Sequence, residues 1–227
     1  MNILKYCSAT NTKSFSGDYK EVAARNMKKP KMKEKNKLIF WLVSDCETDN
    51  KREEYAKKLN NHIPVDIYGQ CNRKETSNIT IERGTKKENK EAMSNLQNQY
   101  KFYLTFENSN CYDYVTEKFF RTLGHGLIPI VMGGGKNYEK FAPHKSYINV
   151  NDYKSPLKLA QHLKYLDKND NAYLKYFDWM DNYGIYRLPH WCQVCRKLND
   201  IKELEKSYSN LTEWWTHDQD NNLACDV

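Results

Sequence analysis

The chain has 227 residues, 39% of them hydrophobic, with seventeen Tyr and five Trp, which excludes a disordered segment and supports a sizeable core in one or two domains. Its longest clean apolar run, Leu38 to Val43, is far below the roughly 20 residues that span a bilayer, and the first 30 residues hold no apolar signal core. As written, the sequence is expected to carry neither anchor nor secretion signal. The net charge of +7 is concentrated between Lys20 and Lys37, a run without interleaved aromatics, which reads as a solvated linker rather than a nucleic-acid platform.

Residues 1–37 show no sustained period and read as a remnant plus linker, largely irregular. Leu38–Val43 is a short continuous apolar run, the pattern of a buried parallel strand. Polar residues Ser44 to Asn50 follow as a loop. A charged helical pattern comes next, with Tyr55, Ala56 and Leu59 on its core face. Pro64–Tyr68 reads as the second strand, stopped at Gly69. Residues 72–99 are polar, an excursion with some helix.

Phe102–Phe106 is the third strand, and Thr116 is placed to cap a helix that Gly124 and Gly126 end. Leu127–Met132 is the next strand, running into Gly133-Gly134-Gly135, and Tyr147–Val150 another. Ser155-Pro156 caps a helix whose core face is expected to be Leu157, Ala160, Leu163 and Leu166, and a further helix runs from about Asn171 to Trp179. Alternation of strand and helix predicts an α/β fold with a parallel doubly wound sheet over 38–186. An aromatic, cysteine-containing tail at 187–227 breaks that rhythm.

In an open sheet of this kind ligands sit at the carboxyl ends of strands and the amino ends of the next helices. The segment from Glu107 to Lys118 lies there. Glu107, Asn108, Tyr114, Glu117 and Lys118 bring two carboxylates, an amide, a phenol and an ammonium together, a set suited to a sugar nucleotide. Arg52 opens the first helix, where a surface arginine and a site arginine are equally consistent. Gly133-Gly134-Gly135-Lys136 fails the Walker pattern, since Ile130 and Asn137 stand where Gly and Ser or Thr are needed; a plain turn explains it as well. Asp218-Gln219-Asp220 lies in a polar tail, where a chance match outweighs a metal site.

Seven cysteines, at 7, 46, 71, 111, 192, 195 and 225, are more natural in an oxidising compartment than in a reduced cytosol. Cys46 and Cys71 each follow the end of a predicted strand, and neighbouring strands would bring them into bonding range. Cys192-x-x-Cys195 has redox or zinc spacing; a disulfide is the preferred reading, with His190 and Cys225 as recruits in the zinc alternative. Asn78-Ile-Thr80 and Asn210-Leu-Thr212 are glycosylation sequons.

Phe102-Tyr-Leu-Thr-Phe-Glu-Asn-Ser109 followed by Asp113-Tyr-Val-Thr-Glu-Lys118 resembles the central motif of the α1,3-fucosyltransferases, glycosyltransferase family 10. Leu38 to Arg52, Val65 to Cys71, Ile128-Pro-Ile-Val131, Phe141-Ala-Pro143 and Tyr147 to Pro156 continue the likeness in order, over about residues 38 to 180. The resemblance implies a Rossmann-like domain, the C-terminal half of a GT-B-type enzyme, that binds GDP-fucose for inverting α1,3 transfer to an N-acetylglucosamine-containing glycan of N-glycan or N-acetyllactosamine type. Carry-over places Ser44, Arg52, Tyr103, Glu107, Asn108, Tyr114, Thr116, Glu117 and Lys118 on the donor, with Arg52 and Lys118 against the diphosphate and Glu107 orienting the sugar or ribose.

The resemblance further implies no metal for the chemistry and no nucleic-acid partner. It places the general base in an N-terminal acceptor half, and gives a Golgi location on the cisterna membrane, facing the lumen, through an N-terminal anchor. The chain is therefore expected to bind donor and to be inactive alone. A non-catalytic guanine-nucleotide-binding module is the alternative. One departure stands out: Asp45 replaces the usual Asn of the family, adding a carboxylate near the expected diphosphate.

Overall fold

The computed structural model describes residues 29–71, 94–133, 138–183, 198–199, 207, 209–216 and 225–226. Cys192, Cys195, the Asp218–Asp220 triplet, the Asn78 sequon, Lys136 and residues 1–28 lie outside them.

Five parallel strands form the central sheet: β1 (Lys37–Leu42), β2 (Val65–Tyr68), β3 (Tyr100–Leu104), β5 (Ile128–Val131) and β6 (Ile148–Asn149), in the order β2-β1-β3-β5-β6. Ile39 sits between Val65 on one side and Phe102 on the other, which fixes the register. β3 and β5 are buried along their whole lengths, as expected for central strands covered on both faces. The chain after β3 stays alongside β5: Thr105 N–H donates to Ile130 O at 2.9 Å and Glu107 N–H to Met132 O at 3.0 Å. The apolar run therefore reads through Phe106, although the regular strand stops two residues earlier.

Helix α1 (Arg52–Asn60) follows β1, and α2 (Glu117–Gly124) leads into β5. A one-turn helix, α3 (Tyr138–Phe141), precedes β6, and α4 (Pro156–Lys168), capped by the Ser155 hydroxyl, packs against α1. α5 (Asp170–Leu174) continues as a 3-10 turn over Lys175–Asp181, where a single helix to Trp179 was expected. The α4 pattern is also shifted from expectation. Its buried face is Leu159, Ala160, Leu163 and Leu166, while Leu157 is 44% exposed. Leu157 directly follows the N-terminal proline, at the start of the helix.

Aromatic rings fill the β1–β3 seam: Phe40 stacks on Tyr103 at 4.4 Å, and the Tyr68 and Tyr100 hydroxyls are 2.7 Å apart. Gly69, at φ +93, closes the end of β2; a Cβ there would lie 2.5 Å from Val43 O. That approach brings the ends of β1 and β2 together, and Cys46 and Cys71 are joined across it with Cα atoms 5.3 Å apart, as the strand order predicts.

A second disulfide, Cys111–Cys225, lies on a two-stranded antiparallel ladder, β4 (Asn110–Cys111) with β7 (Cys225–Asp226). The pairing removes Cys225 from the set that a zinc site at Cys192 and Cys195 would have recruited.

Candidate functional site

Strand order reverses between β1 and β3, the position where open α/β sheets leave a crevice. A cleft of about 340 Å³ opens there. Its lining combines the end of β1 (Leu42 to Asp45), Arg52 of α1, Tyr103, Phe106 and Asn108 from β3 and its loop, and Glu117, Lys118 and Arg121 of α2. Six of the nine residues singled out from the sequence thus share one cavity: Ser44, Arg52, Tyr103, Asn108, Glu117 and Lys118. Glu107, Tyr114 and Thr116 do not line it.

Arg52 is not a surface residue; it is 4% exposed. Its Nη1 donates to Phe106 O at 2.9 Å and its Nη2 to Asp45 O at 3.1 Å, with the Asp45 carboxylate 3.9 Å away and the Trp41 ring 5.8 Å beneath. The guanidinium therefore bridges the loops after β1 and β3. Burial lowers its pKa against the pull of Asp45, and its Nε is buried without a partner among the described residues. Asp45 lines the cleft, with its side chain 58% exposed. The carboxylate flagged as a departure from the family pattern belongs to a cleft-lining residue and lies 3.9 Å from the Arg52 guanidinium.

Glu107 sits beneath the cleft rather than on its lining. Its side chain is 0% exposed, and its carboxylate faces inward. It accepts Thr116 N–H at 2.9 Å, the Thr116 hydroxyl at 2.8 Å and the Lys118 ammonium at 2.7 Å. Gly133, at φ +107, allows this: a Cβ there would come within 3.0 Å of Glu107 Cβ and of Ser109 O. In this arrangement the partners of Glu107 are Thr116 and Lys118 rather than the open space of the cleft. Thr116 likewise makes no side-chain cap to α2, because its hydroxyl is turned to Glu107. The anion that satisfies the start of α2 is thus Glu107 itself.

Tyr114 donates to Asn108 Oδ1 at 3.0 Å, placing the amide at the cleft mouth. Burial pushes Tyr103 well above the usual phenol range, so it meets a ligand as a neutral hydroxyl on an aromatic floor. Two contributors were missed in the sequence. Asn50 donates through Nδ2 to Glu107 O at 2.9 Å and to Asn110 Oδ1 at 3.1 Å, tying the two loops, and nothing in its local pattern announces this. Arg121 lies one turn beyond Glu117, a spacing that could have found it. Among the described residues no group of three or more His, Cys, Asp or Glu could hold a metal ion, and no helix is long and apolar enough to cross a membrane.

A cleft of mixed charge at the switch point of a doubly wound sheet defines an α/β domain of the nucleotide-binding class. A family model, glycosyltransferase family 10 (fucosyltransferase) C-term, matches residues 32–214, and the chain belongs to that family. It is 42% identical over 185 residues to glycoprotein 3-alpha-L-fucosyltransferase A of Drosophila melanogaster, covering 80% of this chain and 35% of the relative. Its fold is similar to a crystal structure of an α1,3-fucosyltransferase with GDP, at 26% identity and a TM-score of 0.53, covering 77% of this chain and 48% of that one. Against an α1,3-fucosyltransferase with GDP-fucose the TM-score is 0.55 at 24% identity, covering 77% and 49%. The fold is the α/β type of these GT-B enzymes. The chain spans between a third and a half of the length of these relatives.

Proposed function

We propose that this chain is the donor-binding half of an α1,3-fucosyltransferase and that GDP-fucose occupies the β1/β3 cleft. The carrying observation is the convergence of Arg52, Lys118, Arg121, Asn108 and Glu117 from three separate elements on one cavity at the switch point. Arg52 and Lys118 supply fixed positive charge beside the diphosphate. Asn108 and Glu117 offer an amide and a carboxylate for sugar or ribose hydroxyls.

Transfer is proposed for the whole protein, since the chain spans only part of its relatives. The acceptor hydroxyl oxygen bonds to the anomeric carbon from the face opposite GDP. The bond from that carbon to the β-phosphate oxygen breaks, and GDP leaves with the electron pair. Cations already oriented in the cleft stabilise that charge without reorganising. The hydroxyl proton goes to a carboxylate base, placed in the acceptor half; Glu107, buried and engaged by Thr116 and Lys118, does not serve. No metal is needed in this scheme. The Cys46–Cys71 and Cys111–Cys225 disulfides support a Golgi-lumen location.

A thermal-shift series with GDP and GDP-fucose tests the donor site: a ligand that binds the native state raises Tm with concentration. No shift at millimolar GDP in a folded sample refutes it. The chain alone is expected to bind donor and transfer no fucose, which a radiolabel assay with N-acetylglucosamine-containing acceptors measures; robust transfer would place a base within these residues.

A further inference from the structure

We infer that Arg121 is a ligand residue of the cleft whose guanidinium takes a phosphate oxygen of the bound nucleotide. The inference rests on the donor-site reading above and adds a residue to it.

The argument starts from which cations are already engaged. Among the described residues three line the cleft: Arg52, Lys118 and Arg121. Arg52 donates to two backbone carbonyls and has Asp45 at 3.9 Å; Lys118 holds the Glu107 carboxylate at 2.7 Å. Arg121 is exposed, and its guanidinium makes no hydrogen bond or ion pair with any described residue. It is the cleft cation that has neither a hydrogen bond nor an ion pair to a described neighbour.

Helical geometry directs it. The buried side of α2 is Phe119, Thr122 and Leu123. Glu117 and Arg121 are one turn apart, away from that buried set, and both line the cavity. Arg121 also acts on the cleft floor: burial raises the Tyr103 pKa, and the positive charge of Arg121 is the foremost charge opposing that rise.

Charge pairing then assigns its role. Arg52 has Asp45 at 3.9 Å and Lys118 has Glu107 at 2.7 Å, whereas no described carboxylate pairs with Arg121. A diphosphate entering the cleft gains most from a cation that is not already neutralised. A guanidinium suits this task, because its planar fork pairs with two phosphate oxygens.

The test compares wild type, Arg121→Ala and Arg121→Lys by calorimetric titration with GDP at about 50 mM and 500 mM salt, with circular dichroism confirming the fold of each. Wild type should bind GDP more weakly at high salt, because the contacts are partly exposed and screened. Arg121→Ala should lose about 10- to 100-fold at low salt and show a flatter salt dependence. Arg121→Lys should recover part of the loss, keeping charge without the fork. If wild type binds GDP and Arg121→Ala binds within twofold of it, the Arg121 assignment is overturned while the donor site stands. A loss with unchanged salt dependence also overturns it, since the contact is then not ionic. If wild type itself fails to bind, the donor-site reading falls first and takes this inference with it.

Discussion

Replacing Lys118 by Met should cost this protein twice, once in stability and once in nucleotide affinity, and the two losses should be separable. The ammonium lies 2.7 Å from a carboxylate that is 0% exposed, while Lys118 itself is 31% exposed. Removing one partner of a buried pair costs about 3–5 kcal/mol because the other charge is left without compensation. Here Glu107 keeps the Thr116 N–H and hydroxyl, at 2.9 and 2.8 Å, so the loss should fall to about 2–3 kcal/mol. Adding Glu107→Gln removes the stranded charge yet keeps an acceptor for Thr116. The double variant should therefore regain most of the stability. It should not regain affinity, because no ammonium remains to meet a phosphate; GDP binding should stay weaker by about 1.5–3 kcal/mol, the scale of a charge-assisted hydrogen bond. Urea unfolding and calorimetric GDP titration of wild type, both singles and the double measure the two quantities. Affinity that returns together with stability would show that Lys118 only holds the loop and touches no ligand.

Asp45→Asn should strengthen GDP binding by about 0.5–1 kcal/mol at low salt, since a half-exposed carboxylate in the cleft repels a diphosphate; the gain should shrink at 500 mM salt, and an unchanged affinity at low salt refutes the placement. Lys35 is 7% exposed, and burial pushes its pKa down to about 8 while it donates to Gln97 O and Tyr100 O. Its folded pKa lies below the unfolded value, so the folded state sheds the proton first and stability should rise as pH climbs from 8 toward 10. Lys35→Met should flatten that rise in urea titrations at pH 7 and 9.5. Leu163→Ala, at a 0% exposed position, should cost about 2–5 kcal/mol, whereas Leu157→Ala should cost under about 1 kcal/mol; equal losses would contradict the helix face seen here.

The sheet was legible because parallel strands buried on both faces must be written as continuous apolar runs, and Leu38–Val43 and Leu127–Met132 are such runs. The parallel sheet followed from the alternation of strand and helix, and the Cys46–Cys71 bridge from the expected adjacency of the first two strands. What the sequence conceals is direction. Glu107, Thr116 and Lys118 read as three groups facing a ligand, yet Glu107 turns inward because Gly133 leaves room for it and Thr116 offers two donors. Arg52 was ambiguous for the same reason: its burial depends on carbonyls at Phe106 and Asp45, which no local pattern encodes. The pairing of Cys111 with Cys225 was out of reach because it joins segments 114 residues apart through a ladder of only two residues per strand. The face of α4 was misread at one of its four residues, since Leu157 and Leu159 both fit a helical stripe and only tertiary packing decides between them.

The Cys111–Cys225 bridge sets a timetable. Asn110, next to Cys111 and paired across the ladder with Asp226, accepts from Asn50, which in turn holds Glu107 O; the ladder thus anchors the loop on which Lys118 depends. Cys225 follows Cys111 by 114 residues, so at ribosomal speeds of about 5–20 residues per second the staple becomes available roughly 6 to 23 seconds after Cys111 is made. During that interval the sheet can already assemble, while Cys111 is a thiol open to any other cysteine nearby. A protein so built can complete its core before the bridge that anchors its cleft loop is able to form.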